Sequence, residues 1–144
     1  MARGYPDFFG SQVFPGYGTL KNQWAVIPAL ATGATGTLYN ILCKGKLFGG
    51  YFYVLAALSL SSVVLSVIVD GENVLPVDLI NAQNWIGSQA GQILQPTYLD
   101  QDTLWAFFAW KGDVTFGQSF RLDIINGSGG NLNINGRISY YQIQ

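Results

Sequence analysis

Apolar and polar positions alternate most clearly in the last third of the chain. In "LWAFFAW", Leu104, Ala106, Phe108 and Trp110 share one face of an extended strand. In "SFRLDII", Phe120, Leu122 and Ile124 point one way and Ser119, Arg121 and Asp123 the other. In "NLNINGRIS", Leu132, Ile134 and Ile138 oppose Asn131, Asn133, Asn135 and Arg137. A period of two, apolar inward and polar outward, is the pattern of half-buried antiparallel strands. Carried along the chain, the pattern predicts strands at 37–44, 46–56, 62–70, 73–80, 103–111, 118–126 and 131–143, with an eighth at 23–30.

The run "LFGGYFYVLAALSLSSVVLSVIV", 47–69, is uncharged and long enough to span a bilayer as a helix. Its detail favours two strands instead. Phe48, Tyr51, Phe52, Tyr53 and Val54 crowd β-forming residues around Gly49 and Gly50, and Ser59, Ser61 and Ser62 interrupt the middle with turn chemistry. The second half is valine-rich and leads into "DGEN", a hairpin signal, followed by "VLPVDLI". No membrane partner is expected on this reading.

The segment "NAQNWIGSQAGQILQPTYLDQD", 81–102, lacks strand character and reads as a long loop, with room for a short helix at 82–88. Residues 1–36 show no steady period. They read as an extended N-terminal arm ending in the flexible "ATGATG", ahead of a single β-sandwich domain at 37–144. About eight antiparallel strands, closely spaced turns and one long crossover predict an all-β, antiparallel, jelly-roll-like sandwich.

Composition sharpens this picture. Charged residues are 10% of the 144, against about 25% in an ordinary soluble domain, while hydrophobic residues reach 49%. So few charges cover a lone monomer poorly, and a homo-oligomer, such as a trimer, or a larger assembly is expected. The seven basic residues are scattered and the net charge is −1, which excludes a phosphate-neutralising face and a nucleic-acid partner.

The candidate chemistry is thin. The chain has no histidine, which removes the commonest general base and metal ligand. Cys43 lies in an apolar run and reads as a buried, inert thiol. Asp100 with Asp102, and Asp70 with Glu72, are the carboxylate pairs nearest in sequence, and both read as loop or turn residues. "NGS" at 126–128 formally fits a glycosylation acceptor but reads as a tight hairpin loop. No catalytic residue, cofactor or metal site is assigned, and the chain is expected not to be an enzyme. Among Trp24, Trp85, Trp105 and Trp110, Trp85 lies in the long loop and is the candidate loop contact. Trp105 and Trp110 have opposite parity in one strand, so only one of them can face the core from an unbroken strand.

The opening "RGYPDFFG…VFPGYGTL", with "KGKLFGGYFYV" and "VIVDGE" after it, resembles the layout of small tailed-bacteriophage virion proteins. The likeness spans the arm and the first three strands, roughly half the chain. It implies a non-enzymatic structural role as a capsid decoration or minor capsid protein. The chain would act in the virion, assembled in the host cytoplasm, with other virion proteins such as the major capsid protein as partners. Tyr5, Pro6, Phe8, Phe9, Phe14, Pro15 and Tyr17 would anchor the arm to neighbouring subunits. The alternative is a receptor- or glycan-binding β-sandwich module of a phage tail.

Overall fold

The computed structural model of the protein describes residues 13–14, 18–78, 94–100, 104–110 and 114–143. These residues are all-β and build two antiparallel sheets packed face to face. The strands are β1 (Val13–Phe14), β2 (Gly18–Leu30), β3 (Thr35–Ile41), β4 (Gly45–Ala56), β5 (Val63–Val69), β6 (Glu72–Asp78), β7 (Leu94–Asp100), β8 (Trp105–Trp110), β9 (Thr115–Phe116), β10 (Phe120–Asn126) and β11 (Leu132–Gln142). The larger sheet has the order β1-β2-β11-β4-β8-β7, with β9 on β4 beyond β8; the smaller has the order β3-β10-β5-β6. β11 is the long central strand, paired with β2 on one side and with β4 on the other along nearly its whole length.

The inward positions follow the expected parity. Ala106, Phe108 and Trp110 of β8, Phe120, Leu122 and Ile124 of β10, and Leu132, Ile134 and Ile138 of β11 are all buried. They meet Phe52 and Val54 of β4 and Val63, Leu65 and Val67 of β5 in one continuous core. Each of the larger aliphatic and phenylalanine side chains contributes about 1.5–3 kcal/mol on burial, and together they hold the two sheets in contact. Aromatic rings fill the centre. Phe52 stacks on Phe108 at 5.0 Å, and Trp110 meets Phe52 at 5.6 Å and Phe120 edge-on at 5.3 Å.

One contact crosses the sandwich and constrains both sheets. Tyr39 of β3 is fully buried, and its hydroxyl donates to the Tyr51 carbonyl of β4 at 3.2 Å. It arrives directly beneath Gly136, the inward position of β11 between Ile134 and Ile138. A Cβ at Gly136 would meet the Tyr39 hydroxyl, the Phe52 Cβ at 2.7 Å and the Tyr51 carbonyl at 2.8 Å. The phenol therefore takes the space that a side chain would fill. Burial, with a smaller contribution from the Tyr51 phenol, pushes the Tyr39 phenol well above its usual range and keeps it a neutral donor.

The apolar run 47–69 resolves into β4 and β5, joined through the serine-rich corner. The two strands are not hairpin partners, because β4 belongs to the larger sheet and β5 to the smaller. No helix among the described residues is long and apolar enough to cross a membrane. The "DGEN" hairpin is present: Asp70 and Gly71 link β5 to β6 with φ of 52° and 86°, the paired positive values that a two-residue I′ hairpin needs.

Three expectations need correction. Residues 18–30 form a strand of 13 residues within the larger sheet, so the arm boundary drawn at 36 runs through the sandwich. The eighth strand expected at 23–30 is the second half of this element. Its period is faint because beyond its pairing with β1 it is an edge strand, and Ala25 and Ile27 are only half-buried. Residues 94–100 form β7, inside the segment read as a loop. Pro96 hid it, yet β7 is an edge strand with a register shift beside that proline, where a missing N–H is tolerated. Asp123, expected to be solvated, is covered: Thr37 donates to it at 2.7 Å and Arg121 pairs with it at 3.1 Å.

Gly136→Ala is expected to destabilise the fold by about 1–3 kcal/mol, the usual effect of overpacking. Tyr39→Phe alone should cost about 0.5–1.5 kcal/mol through the lost hydrogen bond. The two together should cost less than their sum, because removing the hydroxyl relieves part of the clash. Urea unfolding of the three variants measures this, and a neutral Gly136→Ala contradicts the contact.

Candidate functional site

In a sandwich with one core, the outer face of each sheet should be polar. The outer face of the larger sheet is polar along β11 but apolar on the strands at either side of it. Its rows follow from the register. Val26 of β2, Asn135 of β11, Tyr53 of β4 and Phe107 of β8 lie side by side, and in the next row lie Trp24, Arg137, Tyr51 and Ala109. On the other flank Asn133 is followed by Leu55 and Trp105. β4 and β8 thus carry apolar residues on both faces, which makes one face core and the other a surface of aromatic rings.

The rings contact one another across strands. Tyr51 and Phe107 stack at 5.5 Å with planes 15° apart. Trp24 meets Tyr51 edge-on at 6.5 Å, and Tyr53 meets Trp105 edge-on at 6.0 Å. Such pairs contribute about 0.5–1.5 kcal/mol each beyond area burial and hold the ladder in register. Trp24 remains 67% exposed, Val26 62% and Trp105 41%. Farther along β4, exposed Phe48 packs edge-on against Tyr141 and lengthens the apolar area.

Several polar groups of this face are tied down by hydrogen bonds. The Arg137 guanidinium lies 5.3 Å from the centre of the Trp24 ring, and it donates to the Asn22 side-chain oxygen at 3.2 Å. Ser139 donates to the same oxygen at 2.5 Å. Asn133 accepts from the Ala29 backbone N–H at 3.0 Å, which anchors the far end of β2. Among the described side chains, the centre of the face carries one cation, Arg137, and no carboxylate. Chemically the face offers hydrophobic area, ring edges and tyrosine hydroxyls.

The residues singled out by sequence fall mostly elsewhere. Tyr5, Pro6, Phe8, Phe9, Pro15, Tyr17 and Trp85 lie outside the described residues, as do Asp102 and the short helix at 82–88. Phe14 is placed by its backbone alone, opposite Gly18 in the β1–β2 pair. Trp110 is the core tryptophan of its strand and Trp105 the outward one, as their parity requires. Trp24, the most exposed of the described tryptophans, is one of the four named from the sequence, where Trp85 is preferred to it as the contact. The aromatic face did leave a trace in the sequence, because Tyr51, Tyr53 and Leu55 alternate with Phe52, Val54 and Ala56, and both sets are apolar.

The remaining candidates are structural. Asp70 accepts the backbone N–H groups of Gly117, Gln118 and Ser119 at 2.8, 2.7 and 2.9 Å, stapling the β5–β6 hairpin to the segment before β10. The Gly117 bond, then those from Ser119 and Gln118, hold its carboxyl below the usual range, the opposite of what a general acid needs. Asn126 is fully buried; its amide donates to the Leu30 and Gly130 carbonyls, and its oxygen accepts from the Ser128 N–H and hydroxyl. The "NGS" sequence thus closes the corner between β10 and β11. Cys43 is half-buried, and burial raises its thiol against a smaller opposing pull from Lys21. Among the described residues no three His, Cys, Asp or Glu side chains come together in a way that could hold a metal ion.

Asp70 is more readily ionised in the folded chain than in the unfolded one. Its stabilising contribution is complete above the ordinary carboxylate pKa of about 4 and is lost as pH falls through its depressed value. Asp70→Asn should therefore lower the melting temperature at neutral pH, and the gap from the wild type should close in acid. Thermal melts across pH test this; a gap that does not change with pH contradicts the staple.

No protein-family model matches the chain, and no curated protein is significantly similar to it.

Proposed function

We propose that the chain is a non-enzymatic structural subunit of a virion, a capsid decoration or minor capsid protein. It would be held to its neighbours by its N-terminal arm and by the aromatic face of its larger sheet. The observation that carries this reading is the contiguous face of Trp24, Tyr51, Tyr53, Trp105 and Phe107 on a charge-poor sandwich. Exposed apolar patches of this extent mark sites of protein association. The phage-like layout of the opening residues supplies the kind of assembly.

The strand order supports the jelly-roll part of the reading. The chain alternates between sheets from β2 to β5 and again from β9 to β11, so β2-β11-β4-β8 packs over β3-β10-β5-β6. Strands distant in sequence become neighbours, as in paired Greek keys. The arm enters this frame at β1, whose two residues pair with the first two of β2. Residues 1–12 can be removed without taking away a described strand. Their Tyr5, Phe8 and Phe9, with Pro6, suit an extended segment that becomes ordered on neighbouring subunits such as the major capsid protein.

Density-gradient separation of lysates from cells that produce the particle tests the proposal. The full chain should sediment with particles at a fixed ratio to the major structural protein, and a chain lacking residues 1–12 should stay in the low-mass fractions. A full chain found only in the low-mass fractions overturns it.

A further inference from the structure

We infer that the aromatic face of the larger sheet is covered by a second copy of this chain, which makes the protein a homo-oligomer joined through β2, β11, β4 and β8. The inference rests on the reading of that face as an assembly surface and names its occupant.

Three observations select a second copy. The first is size. The four strands β2, β11, β4 and β8 form the breadth of the face. At about 4.8 Å between strands and about 3.3 Å per residue over roughly nine residues, the face measures about 19 by 30 Å, on the order of 600 Å². A standard interface buries about 800 Å² on each partner. That amount is about a tenth of the 7773 Å² accessible surface of the described chain. An open sheet face of this size suits another extended surface rather than a small ligand, which takes a concave site.

The second observation is charge. The centre of the face carries Arg137, already seated on Trp24 and bonded to Asn22, and no carboxylate among the described side chains. Asp70, Glu72 and Asp123 all belong to the smaller sheet or its hairpin turn. An acidic or basic partner would gain little from this face, whereas a second copy brings the same near-neutral aromatic surface.

The third observation is how the rings are used. Tyr51 and Phe107 stack on each other, and Arg137 lies over Trp24. One ring face each of Tyr51, Phe107 and Trp24 is thus taken up within the chain, which leaves less flat ring surface for a sugar. Edge-to-face packing against the rings of another copy suits that geometry.

The mass of the purified full-length protein in solution, followed by light scattering across a range of concentrations, tests the inference. The wild type should have the mass of a closed oligomer. Trp24→Lys with Trp105→Lys should raise the self-dissociation constant at least about 30-fold, the effect of losing interface anchors, and give monomers. Both positions are exposed in the single chain, and an unchanged β-type circular dichroism spectrum shows that the variant is folded. Ile125→Lys, at an exposed position of β10 in the smaller sheet, should leave the oligomer intact. A monomeric wild type overturns the inference, as does an oligomer that survives the double substitution. A monomeric wild type that still sediments with particles overturns this occupant alone and leaves the structural role standing.

Discussion

The architecture depends on the phenol of Tyr39 reaching across the core to the backbone of the opposite sheet. It requires a glycine at 136, in the middle of the strand that pairs with both β2 and β4. With that position empty, β11 can pass close over the Tyr39 hydroxyl, with Ile134 and Ile138 packing to either side. Trp110, Phe52 and Phe108 then complete the layer around the phenol. A hydrogen bond of about 1 kcal/mol does not by itself hold two sheets together. Its role is positional, since it aligns β3 with β4 and β11 while hydrophobic burial provides the adhesion.

A sheet that is firmly seated on its core can present a rigid outer surface. On β4 and β8 that surface is aromatic, and the cross-strand contacts of Tyr51 with Phe107 and of Tyr53 with Trp105 hold the rings in place before any partner arrives. Side chains that are already ordered lose little entropy on association. The same face is poor in charge, as the whole chain is, which supports the proposal that another subunit covers it. The smaller sheet differs, since its outer side carries the paired Arg121 and Asp123, and its Asp70 hairpin is stapled to the segment before β10.

Much of this fold is legible in the amino-acid order alone, and the reason is parity. Where inward and outward residues differ in character, as in 104–110, 118–126 and 131–143, the strands and their buried faces read off directly. Legibility fails where other constraints hide the period. Pro96 masks an edge strand, and β2 is too half-buried to alternate cleanly. The Tyr39–Gly136 contact joins residues from opposite sheets, which no local pattern reveals. The aromatic face was partly legible, because β4 is apolar at both parities. A doubly apolar strand can be a central strand buried on both sides or a strand with one associating face, and choosing between these requires its position in the sheet. Apart from the backbone of Phe14, the anchors assigned to the arm and to Trp85 lie outside the described residues, so the described part of the site is the part that the single-strand pattern signals least.

Hydroxyl-radical footprinting of the full-length protein at assembling concentrations tests the central claim most directly, because it reads the side chains themselves. Trp24 and Trp105 should be protected well below what their exposure in the single chain implies, and dilution should restore their reactivity while Ile125 on the smaller sheet reacts freely throughout. Trp24 and Trp105 oxidised in proportion to their single-chain exposure at every concentration would contradict the account.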